Sequence, residues 1–208
     1  NTTANSNTAV GASSLSANTT GATNSALGSA SLNANTTGSN NVAIGYAALV
    51  ANTTASDNTA VGYRSLGTNT TGAGATAVGR DSLYSNTTGT FNTAVGKYAL
   101  WANTTANSNT AVGYDSLQGN TTGAENTALG ANSLDANVTG SNNTAIGRNA
   151  LTTSTVNNNT AIGWNSLQAT TTGTNNTGLG LRSLYTNTTG AGNTALGKSE
   201  DEIVHKAI

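Results

Sequence analysis

Residues 109–125 read NTAVGYDSLQGNTTGAE and residues 126–142 read NTALGANSLDANVTGSN, two copies of one 17-residue unit laid end to end. The unit runs through nearly all of the 208-residue chain, and its most regular mark is a glycine at positions 11, 28, 45, 62, 79, 96, 113, 130, 147, 163, 180 and 197. Only the interval from Gly147 to Gly163 is one residue short, and the loss falls in the stretch that elsewhere reads NTTGxxN. A deletion there is expected in a turn. Self-similarity at so short a period marks a solenoid or fibrous array, whose units cannot bury their own faces and must stack on their neighbours.

Aligning the units in columns predicts where side chains point. Thr110-Ala111-Val112-Gly113 alternates in size as a short strand would, and its aliphatic position recurs as Val10, Leu27, Ile44, Val61, Val78, Val95, Val112, Leu129, Ile146, Ile162, Leu179 and Leu196. This column is expected to be one core ladder. A second follows as Leu15, Leu32, Leu49, Leu66, Leu83, Leu100, Leu117, Leu134, Leu151, Leu167 and Leu184, each preceded by Ala or Ser. Between glycine and that small residue stand two positions that accept Tyr, Arg, Lys, Asp, Asn and Trp, so both are expected to face water. The remainder holds turn formers and two asparagine columns. One contains Asn7, Asn24, Asn41, Asn58, Asn92, Asn109, Asn126, Asn143, Asn159, Asn176 and Asn193; the other contains Asn18, Asn35, Asn52, Asn69, Asn86, Asn103, Asn120, Asn137 and Asn187. In a parallel stack like amides lie about 4.8 Å apart and can bond along the axis. Thr, Asn and Gly disfavour helix interiors. The expected fold is therefore all-β, a parallel β-solenoid of about twelve coils over residues 1–198.

Composition removes several functional classes. Charged residues make up 7% and aromatic residues 4% of the chain, and the net charge is −1, so no basic surface invites nucleic acid or anionic lipid. With no cysteine there is no disulfide or thiolate metal site. No apolar run approaches the roughly 18 residues of a membrane span. The lack of an initiating methionine leads us to expect a fragment or processed product. Each unit offers only two large aliphatic side chains against the ordering of 17 residues. Bonding along the stack and association with other chains are expected to supply the rest, with the leucines lining the coil and the Val/Ile column meeting partner subunits.

NTAVGYRSLGTNTTG (58–72) and NNTAIGWNSLQATTTG (158–173) resemble the NTAIGxxAL-type repeats of bacteriophage tail-fibre and related surface proteins. They are also similar to the SVAIGxxAxA-type repeats in heads of trimeric autotransporter adhesins of the YadA kind. The resemblance covers nearly the whole chain and implies a left-handed parallel β-roll, three copies of which form a fibre that attaches to a surface. It thus implies a homotrimer at a cell or virion surface, with a host-surface or glycan receptor as partner. The 17-residue period exceeds that of the adhesin heads.

The last residues, KSEDEIVHKAI (198–208), abandon the pattern. Ser199 followed by Glu202 makes a capping box, and Ile203, Val204, Ala207 and Ile208 fall at helical spacing, which predicts a helix from near Glu200. It would cap the stack or begin a trimeric neck within 199–208.

No residue constellation points to catalysis, metal or cofactor. His205 is the only histidine and is expected on a solvent-facing helical position. Serines such as Ser116 and Ser133 lack an accompanying base and are read as packing residues. The acids Asp57, Asp81, Asp115, Glu125 and Asp135 stand in different columns and are not expected to converge. The calcium β-roll motif GGxGxDxUx is missing, and stretches such as Gly72-Ala73-Gly74 lack the lysine and helix of a phosphate loop. Binding has three candidate carriers. Exposed aromatics in the variable columns (Tyr46, Tyr63, Tyr84, Trp101, Tyr114, Trp164, Tyr185) suit a glycan or receptor face, for which Tyr63, Trp101, Tyr114 and Trp164 are singled out. The NTT columns are also N-glycosylation sequons, unless their amides turn inward. Threonine ranks (Thr19, Thr36, Thr53 and Thr70, with Thr20, Thr37, Thr54 and Thr71 beside them) suggest an ice-binding surface as the rival function, although adjacent threonines point to opposite sides of a strand.

Overall fold

The structure is a computed structural model and describes residues 4–198 and 204–206. Each unit contributes one short strand: β1 (Thr8–Val10), β2 (Ser25–Leu27), β3 (Val42–Ile44), β4 (Thr59–Val61), β5 (Thr76–Val78), β6 (Thr93–Val95), β7 (Thr110–Val112), β8 (Thr127–Leu129), β9 (Thr144–Ile146), β10 (Thr160–Ile162), β11 (Thr177–Leu179) and β12 (Asn193–Leu196). They stack in chain order as one parallel sheet with like residue over like, Thr93↔Thr110 and Val95↔Val112 for example. The chain is a β-solenoid.

Each strand is brief because the following glycine leaves the β region: Gly113 has φ +142°, and a Cβ there would stand 2.6 Å from the Gly130 carbonyl oxygen of the next coil. The corner that follows is built from left-handed residues that are not glycine. Asp115 (φ +51°) and Leu117 (φ +54°) bracket Ser116, and every leucine of the ladder shares this conformation. A left-handed backbone costs an ordinary residue about 1–2 kcal/mol. Burial offsets it, since the leucines from Leu32 to Leu167 are fully enclosed. Backbone bonds leave each coil in both directions: Leu117 N–H donates to Ser133 O (2.8 Å) and Gly113 N–H to Val95 O (2.8 Å).

The two aliphatic columns have opposite fates. Leu15, Leu49, Leu66, Leu83, Leu100, Leu117, Leu134 and Leu151 form the core with the strand alanines. The column Val10, Ile44, Val61, Val78, Val95, Val112, Ile146 and Ile162, expected as a core ladder that would also meet partner subunits, is not part of the core and faces outward. Val10 is 55% and Ile44 39% exposed, and the others are half-buried. The reason is the two-residue period of a strand: with Ala111 inside, Thr110 and Val112 must both lie outside. The interior is narrow, and the strand alanines share it with the leucines, with Gly178 in the alanine's place on β11. The small residues before the leucines pack as expected, and their hydroxyls are paired with backbone, as Ser133 Oγ with Gly130 O (2.8 Å) and Ser116 Oγ with Ala128 O (3.0 Å).

Both asparagine columns turn inward. Asn35, Asn52, Asn69, Asn86, Asn103, Asn120 and Asn137 each donate an Nδ2–H to Oδ1 of the asparagine one coil earlier, at 2.8 to 3.1 Å, starting from Asn18. The two columns also meet on one acceptor, for Asn24 and Asn35 both donate to Gly38 O (2.8 and 2.9 Å). Asn109 and Asn120 likewise share Gly123 O. A carbonyl inside the coil thus has both lone pairs occupied, which pins the turn that closes the coil.

The short interval is absorbed in a turn, as predicted, and β9 pairs with β10 in unbroken register, Thr144↔Thr160 to Ile146↔Ile162. In the same coil Ser154 replaces the asparagine, and both Ser154 Oγ and Asn137 Oδ1 are buried without a hydrogen-bond partner. The C-terminal expectation is corrected in part. Val204–Lys206 is a strand, β13, antiparallel to β12 through Asn193↔Lys206, Thr194↔His205 and Ala195↔Val204, and not a turn of helix. The exposed edge of β12 presents unpaired backbone groups that an extended segment satisfies. The rest of the expected helix, 199–203 and 207–208, lies outside the described residues.

Candidate functional site

The repeat separates constant from variable positions, and the variable ones share an edge. All six tyrosines, both tryptophans and all four arginines fall in three columns: the two positions after each strand glycine and the one after each ladder leucine. The left-handed corner swings the first of these columns outward, with Tyr46, Tyr63, Tyr114 and Trp164 all exposed, and leaves the second half-buried. The second column does not wholly face water as expected, because Asp81 and Asn165 are buried there.

Four successive coils between Tyr63 and Gln118 build a cleft of about 300 Å³ on this corner, lined by Tyr63, Arg64, Arg80, Asp81, Tyr98, Trp101 and Gln118. Its organising group is the Asp81 carboxylate, whose side chain is only 4% exposed. Oδ1 accepts from Arg64 Nε at 2.9 Å and Oδ2 from Arg80 Nε at 3.1 Å. The hydrogen bond to Asp81 raises the Arg64 pKa above its ordinary value. Rings hold the cations as well: Arg64 Cζ lies 4.3 Å from the Tyr84 centroid and 5.5 Å from that of Tyr63, and Arg80 Cζ lies 5.6 Å from Tyr63. Tyr63 stacks in turn on Tyr46, centroids 5.4 Å apart and planes 13° from parallel. On the opposite side Trp101 is 39% exposed. Gln118 Nε2 donates to Asp115 Oδ1 at 3.2 Å.

Of the four aromatics singled out from sequence, Tyr63 and Trp101 meet in this cleft. Tyr114 lies outside it, with Lys97 Nζ 5.7 Å from its ring. Trp164 belongs to a separate cluster in which Arg182 Cζ stands 5.1 Å from Trp164 and 5.3 Å from Tyr185. Arg64, Arg80, Asp81, Tyr98 and Gln118 were not foreseen. Their signal was the 17-residue spacing of Arg64 and Asp81, which sets opposite charges on adjacent coils. Burial, and secondarily the charge of Asp115, pushes the Asp135 carboxyl above its ordinary range. Among the described residues no group of three His, Cys, Asp or Glu side chains assembles a metal site.

Two other surfaces bear on function. The strand face carries the outward Thr and Val/Ile/Leu columns side by side along the whole stack. From Thr19 to Thr121 the first threonine of each NTT spends its hydroxyl on the next coil, as Thr36 Oγ1 on Thr53 O (3.0 Å) and Thr70 Oγ1 on Thr87 O (3.0 Å). The sequon amides from Asn35 to Asn137 are fully buried, with Nδ2 doubly bonded, and so offer no attachment point for a glycan on the folded chain. Comparison of the chain with protein-family models, curated proteins and solved structures gave no match.

Proposed function

We propose that the chain is a rigid segment of a homotrimeric fibre on a cell or virion surface. It acts by spacing and display, without catalysis, and carries adhesive side chains on its variable corner. The observation that supports this most is the outward aliphatic column. From Val10 to Leu196 these side chains stack in register, exposed or half-buried, in one apolar stripe along the body. Contiguous apolar surface of this extent marks an interaction site. A column that repeats at every coil fits a partner of the same period, and three copies around a common axis would enclose it. The resemblance to fibre and adhesin repeats supplies the number three.

Sedimentation equilibrium tests the reading. A mass three times the 20.5 kDa of one chain is expected. Val95→Lys with Val112→Lys should dissociate it while the β-sheet circular dichroism stays. A monomer at micromolar concentration with an intact fold would overturn the proposal.

The same face motivates the rival reading. Outward threonines at Thr59, Thr76, Thr93 and Thr110, one per coil and beside the aliphatic column, form a regular lattice suited to ice. A face buried between subunits cannot also meet ice, so thermal hysteresis from a monomeric chain would favour this alternative. The inner NTT rank is less suited to it, since its hydroxyls are bonded within the stack.

A further inference from the structure

We infer that the cleft on coils four to seven binds an acidic saccharide, with a sugar ring against Trp101 and its anionic group between Arg64 and Arg80. Two guanidinium groups share one carboxylate, so the cleft carries an excess positive charge in a chain whose net charge is −1. Asp81 is buried, both its oxygens are occupied by the arginines, and Arg64 is stacked on Tyr84; the donors are therefore held in place before a ligand arrives. Such preorganisation reduces the ordering cost of binding, and arginine's fork matches a carboxylate or sulfate. Trp101, 39% exposed, presents a flat face against which the C–H side of a pyranose packs, while the Tyr63 ring, stacked on Tyr46, backs the guanidinium groups. The volume of about 300 Å³ is at the small end for ligand sites and suits one or two sugar rings.

Position within the repeat argues for selection of a ligand over mere tolerance of aromatics. The constant columns build the coil, yet Tyr63, Arg64, Arg80, Asp81 and Trp101 gather on three adjacent coils, each where other units carry small or amide residues such as Ala12, Ser29, Ala131 and Asn132. The cleft is complete within one chain. This inference therefore goes beyond the fibre proposal and does not depend on its subunit number.

The test is titration of the full chain with sialyllactose and with digalacturonate, using lactose as the uncharged control. Binding is followed by saturation-transfer NMR and by tryptophan fluorescence in a Trp164→Ala background, where Trp101 is the only reporter. At least one acidic probe should bind saturably in the millimolar range or tighter, and about tenfold better than lactose. Trp101→Ala and Arg80→Gln should each weaken that binding about tenfold, with circular dichroism unchanged because both side chains lie at the surface. Three results would each overturn the inference: neither acidic probe binding, lactose binding equally well, or affinity indifferent to the Trp101 and Arg80 substitutions. Because sedimentation reports subunit number separately, a trimer without sugar binding and a sugar-binding monomer are distinguishable.

Discussion

Asn86 shows what one residue carries in this fold. It donates to Asn69 Oδ1 (2.8 Å) and Gly89 O (2.9 Å), accepts from Asn103 Nδ2 (2.9 Å), and is fully buried. Asn86→Ala should cost about 2–4 kcal/mol in denaturant unfolding, because it removes these bonds and strands groups that solvent does not reach. Asn86→Asp should be worse at neutral pH, since a carboxylate would face two oxygen acceptors. Its folded pKa would be raised, so the excess penalty is absent below about pH 4 and grows as pH rises from there. Equal losses for the two variants at neutral pH would refute the inward amide geometry. Repetition alone made the asparagine columns legible. That two amides meet on one carbonyl was not, because it depends on how tightly the coil closes. That closure is set by left-handed backbone at residues such as Asp115 and Leu117, whose side chains give no sign of it.

A coil is as good as its departures from the repeat allow. Ala75 occupies the asparagine column, so Gly89 O has Asn86 as its only asparagine donor, whereas Gly72 O has both Asn58 and Asn69. Ala75→Asn should therefore raise stability by about 1 kcal/mol, seen as a higher melting temperature by circular dichroism. An unchanged or lower melting temperature would mean that the second amide contributes nothing. The strand positions were legible to within the glycine that ends each one, but which side faces in was not: Thr-Ala-Val alternates equally well with alanine inside or outside. A reading by hydrophobicity places valine within; the narrow coil places alanine there. Beyond residue 198, helical spacing competed with an open strand edge, and over Val204–Lys206 edge pairing prevails. In the variable corner the aromatics stood out in the sequence, whereas the arginine–carboxylate frame emerged only when coils were stacked.

For the whole molecule, identical coils imply that length is adjustable in units. Removing residues 109–125 joins Ser108 to Asn126, in the place where Glu125 stood, and should leave a cooperatively folded body shorter by about 4.8 Å. Removing 109–117 instead breaks the register and should abolish the fold. Small-angle scattering and circular dichroism of the two deletions check this, and equal tolerance of both would contradict a stack held by registry. The asparagine column also gives the body a direction. Every amide from Asn35 to Asn137 donates toward the N-terminal end, so the group dipoles add head to tail as peptide dipoles do in a helix. The positive pole lies at Asn18, and the negative pole ends on the unpartnered Oδ1 of Asn137. Each bond polarises the next, so a break at Asn69 is expected to weaken the adjoining bonds of the column as well as the one it removes.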